Sequence, residues 1–235
     1  MLPNDHECTA DDGSRIQLLD VVAGQHADLV DALVDTHQTI FPSFGYVAEV
    51  IRQRASSDQP NPHVRVHQWL VLVDAAPAGL LLFDTNVART VAISHYVHVA
   101  SPFSSLSIEG RRMIGWLYRK AIEVSKSDCD GRAVLGLFGE TTRELIPIYR
   151  LIGMHDLAID YYEPLGVPHW QGPGTGLLHG HLLWLPPDGV DHQRLQQQAL
   201  NAGAAAFLLD HYRFDPDIDW VAAAVGVERP LPVSP

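Results

Sequence analysis

Four side chains of the sequence stand where they could accept a proton. Glu140 ends the short apolar stretch "AVLGLFGE", and Glu163 lies in "YYEP". His95 and His98 lie three residues apart in "TVAISHYVHVA", so on a strand they would face opposite sides. A carboxylate or an imidazole works as a general base when its pKa lies near the working pH. Glu140 and His98 are the preferred candidates, because both stand at the end of a predicted strand, whereas Glu163 is interpreted as a solvated or substrate-facing residue.

The motif "HGH" places His179 and His181 on one face of a strand, an arrangement that some metal sites use. His169 could supply a third ligand. The chain has 13 histidines, so such pairs arise by chance. The sequence therefore predicts no metal site.

The stretch "SSLSIEGRRMIGWLYRKAIEVS" changes without a break from a Ser-rich loop into an amphipathic helix. Met113, Leu117, Ala121 and Val124 recur every three or four residues, which predicts a helix from about Gly110 with one face on a sheet. A loop that runs directly into a helix in this way could hold a ligand at the helix start.

Periodicity and turn residues predict a mixed α/β order of elements. In chain order these are a strand in 14–21, helices in 26–41 and 44–56, strands in 64–74, 80–87 and 90–100, a helix from 110, a strand in 133–140, a helix in 141–157, strands in 158–164 and 177–186, and helices in 191–212 and 215–226.

Proline and glycine positions refine two of these helices. Pro147 predicts a kink, or a helix that is regular only in its second half, and Gly153 is its natural C-cap. In the last helix Asp215 is predicted as the N-cap and Pro216 as the first helical residue.

Three segments follow from this pattern. Residues 1–13 are polar and acidic and are interpreted as a flexible tail. Residues 14–187 form one domain, and residues 188–235 form a C-terminal helical extension. The extension could cap a binding site or build a homodimer contact, and the sequence leaves both open.

Composition excludes several classes of function. The chain has 235 residues, 46% of them hydrophobic, and a net charge of -12, so it is neither disordered nor built to bind nucleic acid or anionic membrane surfaces. Its two cysteines, Cys8 and Cys129, are too few for a disulfide framework. The first residues lack the pattern of a signal peptide, and no run of about 20 apolar residues could span a bilayer. These features predict a cytoplasmic protein that binds small molecules, or neutral and basic proteins.

The order of elements, with "HYVHVASPFSSLSIEGRRMIGWLYRKA" and "TTRELIPIYRLIGM", resembles the GNAT superfamily, the Gcn5-related N-acyltransferases, over roughly residues 14–186. The resemblance implies an α/β (α+β) fold with a mixed, mostly antiparallel central sheet flanked by helices. In that family a loop of the pattern Q/R-x-x-G-x-G/A opens a helix whose N-terminus receives the pyrophosphate of acetyl-CoA. Here the loop is 105–110, and only Gly110 fits the pattern.

The resemblance implies acetyl-CoA or another acyl-CoA as the co-substrate. Backbone N–H groups and the helix dipole hold the phosphate oxygens, so Ile108 would crowd the anion or demand another loop path, and Glu109 adds like charge. Ser105 and Ser107 could donate hydrogen bonds. The residues assigned to this co-substrate are Val99, Ala100, Ser105, Ser107, Ile108, Glu109, Gly110, Arg111 and Thr142.

A second family pattern, N-x-x-A-x-x-x-Y-x-x-x-G-F, falls on the helix after Glu140. Tyr149 and Gly153 agree with it, whereas Thr142, Leu145 and Met154 do not. In many members the tyrosine protonates the departing CoA thiolate.

The resemblance thus implies an N-acyltransferase that moves an acetyl or short acyl group to the amine of a cationic or neutral small molecule, by direct attack in a ternary complex. Tyr149 would be the general acid and Glu140 or His98 the general base. A backbone N–H near Val99 or Ala100 would polarise the carbonyl group.

Two alternatives stay open because the loop departs from the family pattern. The chain could be a GNAT-shaped binding or regulatory protein that does not acetylate. It could also be a repurposed enzyme, for instance one that takes its acyl group from an acyl-carrier protein. Such carriers are acidic, so that version requires a local basic patch, for which the candidates are Arg111, Arg112, Arg119 and Lys120.

Overall fold

The structure is a computed structural model that describes residues 5–56, 61–226 and 230–231. The fold is mixed α/β, with a large, mostly antiparallel sheet flanked by helices, which confirms the predicted fold class. The chain divides into two compact units, one of Met1–Asp84 with Ser94–Lys120 and the other of Thr85–Ile93 with Ala121–Pro235. This division differs from the predicted boundary at residues 187 and 188.

The first unit carries the N-terminal strands and two helices. Its elements are β1 (His6–Thr9), β2 (Arg15–Asp20), α1 (Val30–Ile40), α2 (Val47–Ser56), β3 (Val64–Val73), β4 (Ala76–Asn86), β5 (Val91–Val99), β6 (Ser107–Ile108), β7 (Arg111–Arg112) and α3 (Met113–Asp128). The last residues of β4 and α3 and the first residues of β5 belong to the second unit.

The strands of this unit follow the order β1-β2-β3-β4-β5. β1 and β3 both pair antiparallel with β2, with Ile16 opposite Val73. Alternation along β2 buries Ile16 and Leu18, while the apolar faces of α1 and α2 bury Leu33 and Ile51. The predicted strands and helices up to α2 are thereby confirmed, with ends that differ by a few residues.

Residues 5–13, which the composition placed in a flexible tail, form β1 and a turn instead. Glu7 in β1 binds Arg15 in β2 through an ion pair of 2.7 Å, and the Ala10 amide donates to the Ser14 carbonyl over 2.8 Å. Glu7 and Thr9 face solvent while the backbone of β1 completes a ladder with β2, so the polar, acidic composition of this segment is compatible with a strand. Residues 1–4 of the predicted tail, and 57–60 of a predicted loop, lie outside the described residues.

The second unit contains the C-terminal strands and helices. Its further elements are β8 (Leu137–Thr141), α4 (Ile146–Leu151), β9 (His155–Asp156), β10 (Tyr161–Pro164), β11 (Leu177–Leu185), α5 (His192–Ala205), a π-helical segment (Ala206–His211) and α6 (Asp219–Val225). The order is β8-β11-β10, with the start of β5 beside β8 and with β9 also paired to β11.

The C-terminal helices share the core of this unit. Phe138, Leu182 and Trp184 pack against alanines of α5 and against Phe207. A Cβ added to Gly203 would come within 2.3 Å of the Phe138 ring, so only glycine allows α5 to approach so closely. The predicted extension is helical, and it is built into the core.

The ends of α4 agree with the prediction from its proline and glycine, whereas the start of α6 does not agree with the predicted N-cap. The regular part of α4 begins at Ile146 with Pro147 in its first turn, and Gly153 follows with φ of 90°, as the sequence predicted. α6 begins later than predicted: its N-cap is Ile218, because Asp215 accepts from the Asp217 amide in a preceding turn. Within the described residues, the helices are too short or too polar to cross a membrane.

Candidate active site

The predicted pyrophosphate loop is a tight β-hairpin. β6 and β7 pair with Ile108 opposite Arg111, and the two residues between them, Glu109 and Gly110, have φ of 53° and 72°. Positive φ at both central positions is the signature of a type I′ turn. The following helix, α3, begins at Met113 rather than at about Gly110, so the loop does not open the helix directly.

A carboxylate lies on the amides of this turn. Asp11 accepts from the amides of Glu109 and Gly110, each over 3.1 Å. The Asp11 amide in turn donates to the Ser107 carbonyl over 2.8 Å. The hairpin amides therefore bind an anion, as expected for a pyrophosphate loop, but the anion comes from the chain itself.

Other residues that were predicted to bind the co-substrate make structural contacts within the protein. Ile108 is only 1% exposed, so its side chain packs in the core and does not crowd an anion. The Ala100 amide donates to the Ala78 carbonyl over 2.8 Å, which removes it as a donor for a substrate carbonyl, and Val99 is the last residue of β5. Ser105 and Arg111 are exposed.

His98 lines an open cavity of about 350 Å³ in the first unit. Asp35, Thr36 and Thr39 of α1 line the same cavity. Burial lowers the pKa of His98, so the imidazole is neutral and able to accept a proton at neutral pH. His95, in contrast, lies 3.0 Å from an oxygen of Asp84, which also binds Arg54. His95 is thus tied into an ion-pair network, and His98 is the imidazole that faces a cavity.

Glu140 forms the centre of a buried hydrogen-bond cluster in the second unit. Its Oε1 accepts from Tyr161, and its Oε2 accepts from Tyr212 over 2.6 Å. The Tyr212 hydroxyl also lies 3.3 Å from Oε2 of Glu163. The strand register explains the meeting: Glu140 lies opposite Leu182, and Tyr161 lies opposite Gly180, on the face covered by the C-terminal helices.

This environment shifts the ionisation of the cluster. Burial, together with the neighbouring charge of Glu163, raises the pKa of Glu140 to about 8, although the two tyrosine hydrogen bonds oppose the shift. Burial also raises the pKa of Glu163 and holds the pKa values of Tyr161 and Tyr212 well above 10. Both carboxyl groups of this cluster therefore have raised pKa values, and that of Glu140 lies at about 8.

Tyr149 stands on α4, a helix whose Ile146, Pro147 and Arg150 line an open cleft of about 720 Å³, but Tyr149 itself is not among the lining residues. The cleft is lined by Thr142, Arg143, Glu144, Ile146, Pro147, Arg150, Asp156, Leu178, His179 and His181. His181 lies opposite Thr141 in the strand register, so this cleft and Glu140 lie on opposite faces of β8 and β11. A substrate that meets both α4 and Glu140 must lie at the end of β8, where Glu140 and Thr141 are the last strand residues.

The predicted histidine pair has other partners. His179 and His181 have ring centroids 5.6 Å apart, and Nδ1 of His181 lies 3.3 Å from Asp156. Nδ1 of His169 lies 2.8 Å from the carbonyl oxygen of His211, so His169 belongs to another part of the unit.

Sequence reasoning missed three residues of these sites. Tyr161 and Tyr212 join Glu140 through strand pairing and helix packing, for which a single sequence has no local signal. Asp11 lies in a segment interpreted as a tail. The "DDG" turn signal at 11–13 was the one clue that this segment folds back.

No family model and no curated protein matches the sequence. Solved structures do match. A Bacteroides thetaiotaomicron protein assigned to the GNAT family of acetyltransferases is 13% identical, covers 90% of this chain and 99% of its own, and has a TM-score of 0.50.

Two further solved structures are similar with lower scores. Tetrahymena GCN5 is 12% identical, covers 72% of this chain and 96% of its own, and has a TM-score of 0.45. A Bacillus subtilis acetyltransferase, solved in complex with CoA, is 17% identical, covers 74% of this chain and 98% of its own, and has a TM-score of 0.43. The chain has the GNAT fold, as its motifs predicted.

Proposed function

We propose that this chain, which has the GNAT fold, is an acyltransferase that moves an acetyl or other short acyl group from acyl-CoA to the amine of a small molecule. Transfer would be direct, in a ternary complex. The net charge of -12 favours a cationic or neutral acceptor and disfavours nucleic acid and membrane surfaces.

The ionisation of Glu140 carries this proposal. An alkylammonium must lose a proton before its nitrogen can attack a thioester, and the most effective base has a pKa near the working pH. Glu140, with its pKa raised to about 8, meets that requirement. His98 is the alternative base, since its neutral imidazole faces a cavity.

Each proton then has a destination. The Glu140 carboxylate takes a proton from the ammonium, and the freed amine attacks the thioester carbon. The C–S bond breaks, and the hydroxyl of Tyr149 gives its proton to the departing thiolate. The attacking nitrogen still carries one proton more than the amide product, and it gives this proton to solvent. Solvent also returns a proton to Tyr149 and receives the one that Glu140 holds, so one proton is released overall.

The hairpin amides are suited to the diphosphate of the co-substrate. The Asp11 carboxylate is a stand-in for that anion, since two of its oxygens already lie 3.1 Å from the amides of Glu109 and Gly110. Ser107 and Arg111 flank the turn and would add polar contacts.

Isothermal titration with acetyl-CoA and, separately, with free CoA tests the first step. We expect micromolar binding of both, followed by thiol release when a panel of small amines is added. Absence of binding to folded protein would contradict the proposal.

A second candidate is a GNAT-shaped binding or regulatory protein that does not acetylate. The observation that favours it is the Asp11 carboxylate on the hairpin amides, because an anion held permanently there would exclude CoA. Binding of CoA without thiol release on any amine, in an otherwise active assay, would also favour this candidate.

A further inference from the structure

The N-terminal arm, defined as residues 5–14, makes a specific contact with the hairpin. Three hydrogen bonds join Asp11 to it: two from the amides of Glu109 and Gly110, each of 3.1 Å, and one of 2.8 Å from the Asp11 amide to the Ser107 carbonyl. Both oxygens of one carboxylate are therefore engaged by adjacent amides of one turn.

The hairpin turn is shaped to present those amides. Two successive residues with positive φ turn their N–H groups toward the same side, which makes a small concave donor site for an anion. Ile108 anchors the turn because its side chain is buried, so the amides keep their position whether or not Asp11 is bound. The donor site is thus rigid, while its occupant is attached through an arm.

The base of the arm is held firmly, because β1 pairs with β2 and the buried Asp5 carboxylate binds His26 over 2.9 Å, whereas the tip at residues 11–13 makes exposed contacts. Glu7 pairs with Arg15 at the surface, and the hydrogen bonds of Asp11 to the hairpin are exposed as well. Exposed ion pairs contribute little to stability. Local opening of the turn at 10–13 therefore costs far less than unfolding of the unit.

We propose that Asp11 is a built-in competitor for the diphosphate of acyl-CoA, so that the free protein is closed and acyl-CoA binds only after the arm leaves the hairpin. This inference rests on the proposed function. The apparent affinity for CoA is then the intrinsic affinity multiplied by the fraction of molecules whose arm is released. Glu109, the neighbouring acid, remains in place and is not part of the competition.

The test compares wild type with Asp11→Asn and Asp11→Ala, and with Asp12→Asn as the matched control. Asp12 loses the same charge one residue away, but its carboxylate binds Ser14 within the same turn and accepts from the Ser14 amide over 2.9 Å. Titration with CoA and with inorganic pyrophosphate measures affinity, and amide hydrogen exchange at Glu109 and Gly110 reports on the contact without any ligand.

We expect both Asp11 variants to bind CoA about tenfold more tightly than wild type and the Asp12 variant to match wild type. Exchange at Glu109 and Gly110 should be faster in the Asp11 variants alone. Equal or weaker CoA binding by the Asp11 variants would overturn the competition and leave the proposed function standing. Absence of CoA binding in all four folded proteins would overturn both.

Discussion

Tyr212 donates a hydrogen bond of 2.6 Å to Oε2 of Glu140 across 72 positions of the chain. This bond links the end of β8 to the residue that follows the π-helical segment, and it bears on the charge of the proposed base. Because a phenol that donates to a carboxylate favours the charged form, Tyr212 lowers a pKa that burial has raised.

Glu140→Gln tests the base. The substitution keeps the shape and removes the proton acceptor, so kcat/KM should fall by about 100-fold or more. In wild type the carboxylate is the active form, so the rate should rise as pH rises through about 8. The variant should lack this rise.

Glu49→Gln is the matched control, because Glu49 is an exposed acid of α2 that lines neither cavity. Its rate and pH profile should equal those of wild type. A Glu140→Gln variant that keeps the full rate would transfer the role to His98.

Tyr212→Phe should move the pH profile of wild type upward. Loss of the donated hydrogen bond destabilises the carboxylate, so the pKa of Glu140 rises further above 8. The midpoint of the rate against pH reports the shift. Tyr162→Phe, on a tyrosine whose ring packs against His179, should leave the midpoint unchanged. A downward shift in Tyr212→Phe would refute the electrostatic account.

Tyr149→Phe should lower kcat much more than it changes CoA affinity, because the hydroxyl acts on the leaving thiolate and not on binding. Single-turnover rates with the native thioester, measured beside CoA titrations, separate the two effects. Parallel losses in both would mean that Tyr149 supports the binding site instead.

His37→Phe should stabilise the first unit. The imidazole is buried among Phe41 and Tyr96, and among the described residues neither ring nitrogen has a hydrogen-bond partner. Burial lowers the pKa of His37 to about 4. An unpaired buried polar group costs about 1 to 3 kcal/mol, which phenylalanine would recover.

The pH dependence of that gain has a defined sign. Between pH 6.5 and 4, His37 is protonated in the unfolded chain but stays neutral in the folded protein. The wild type therefore loses stability as the pH falls through this window. Urea unfolding at several pH values should show a growing advantage of His37→Phe toward acid. A constant difference would contradict the neutral, buried imidazole.

Gly79→Ala should destabilise the pairing of β4 with β5 by about 2 kcal/mol or more. A Cβ at Gly79 would lie 2.1 Å from the His98 carbonyl oxygen, closer than any real contact. Gly45→Ala is the control, since nothing lies within 4 Å of its Cβ position. Thermal unfolding compares the two, and equal melting temperatures would disprove the close approach.

Much of the fold was predictable because it depends on local pattern. The alternation of β2 and the apolar stripe of α3 appear in the sequence at the positions where the structure has a strand and a helix. Gly153 and Pro147 marked the limits of α4 because their backbone preferences act within one turn.

The features of the structure that the sequence did not predict depend on contacts between residues far apart in the chain. β1 is a strand because β2 offers it a ladder, and its acidic sequence alone suggested a tail. Glu140 was a candidate from its place at a strand end, but its raised pKa comes from burial and from the charge of Glu163, which strand pairing and helix packing produce. The hairpin at 107–112 replaced a predicted helix start because Glu109 adopts a left-handed conformation that few residues favour.

The close packing of Gly203 in α5 against the Phe138 ring has a consequence for the protein during its synthesis. The helices that cover Glu140 follow it in the chain, so during synthesis its carboxyl group stays in water with an ordinary affinity for protons until they dock. The partially synthesised polypeptide thus lacks a tuned base. The pKa of Glu140 rises only once these helices have docked.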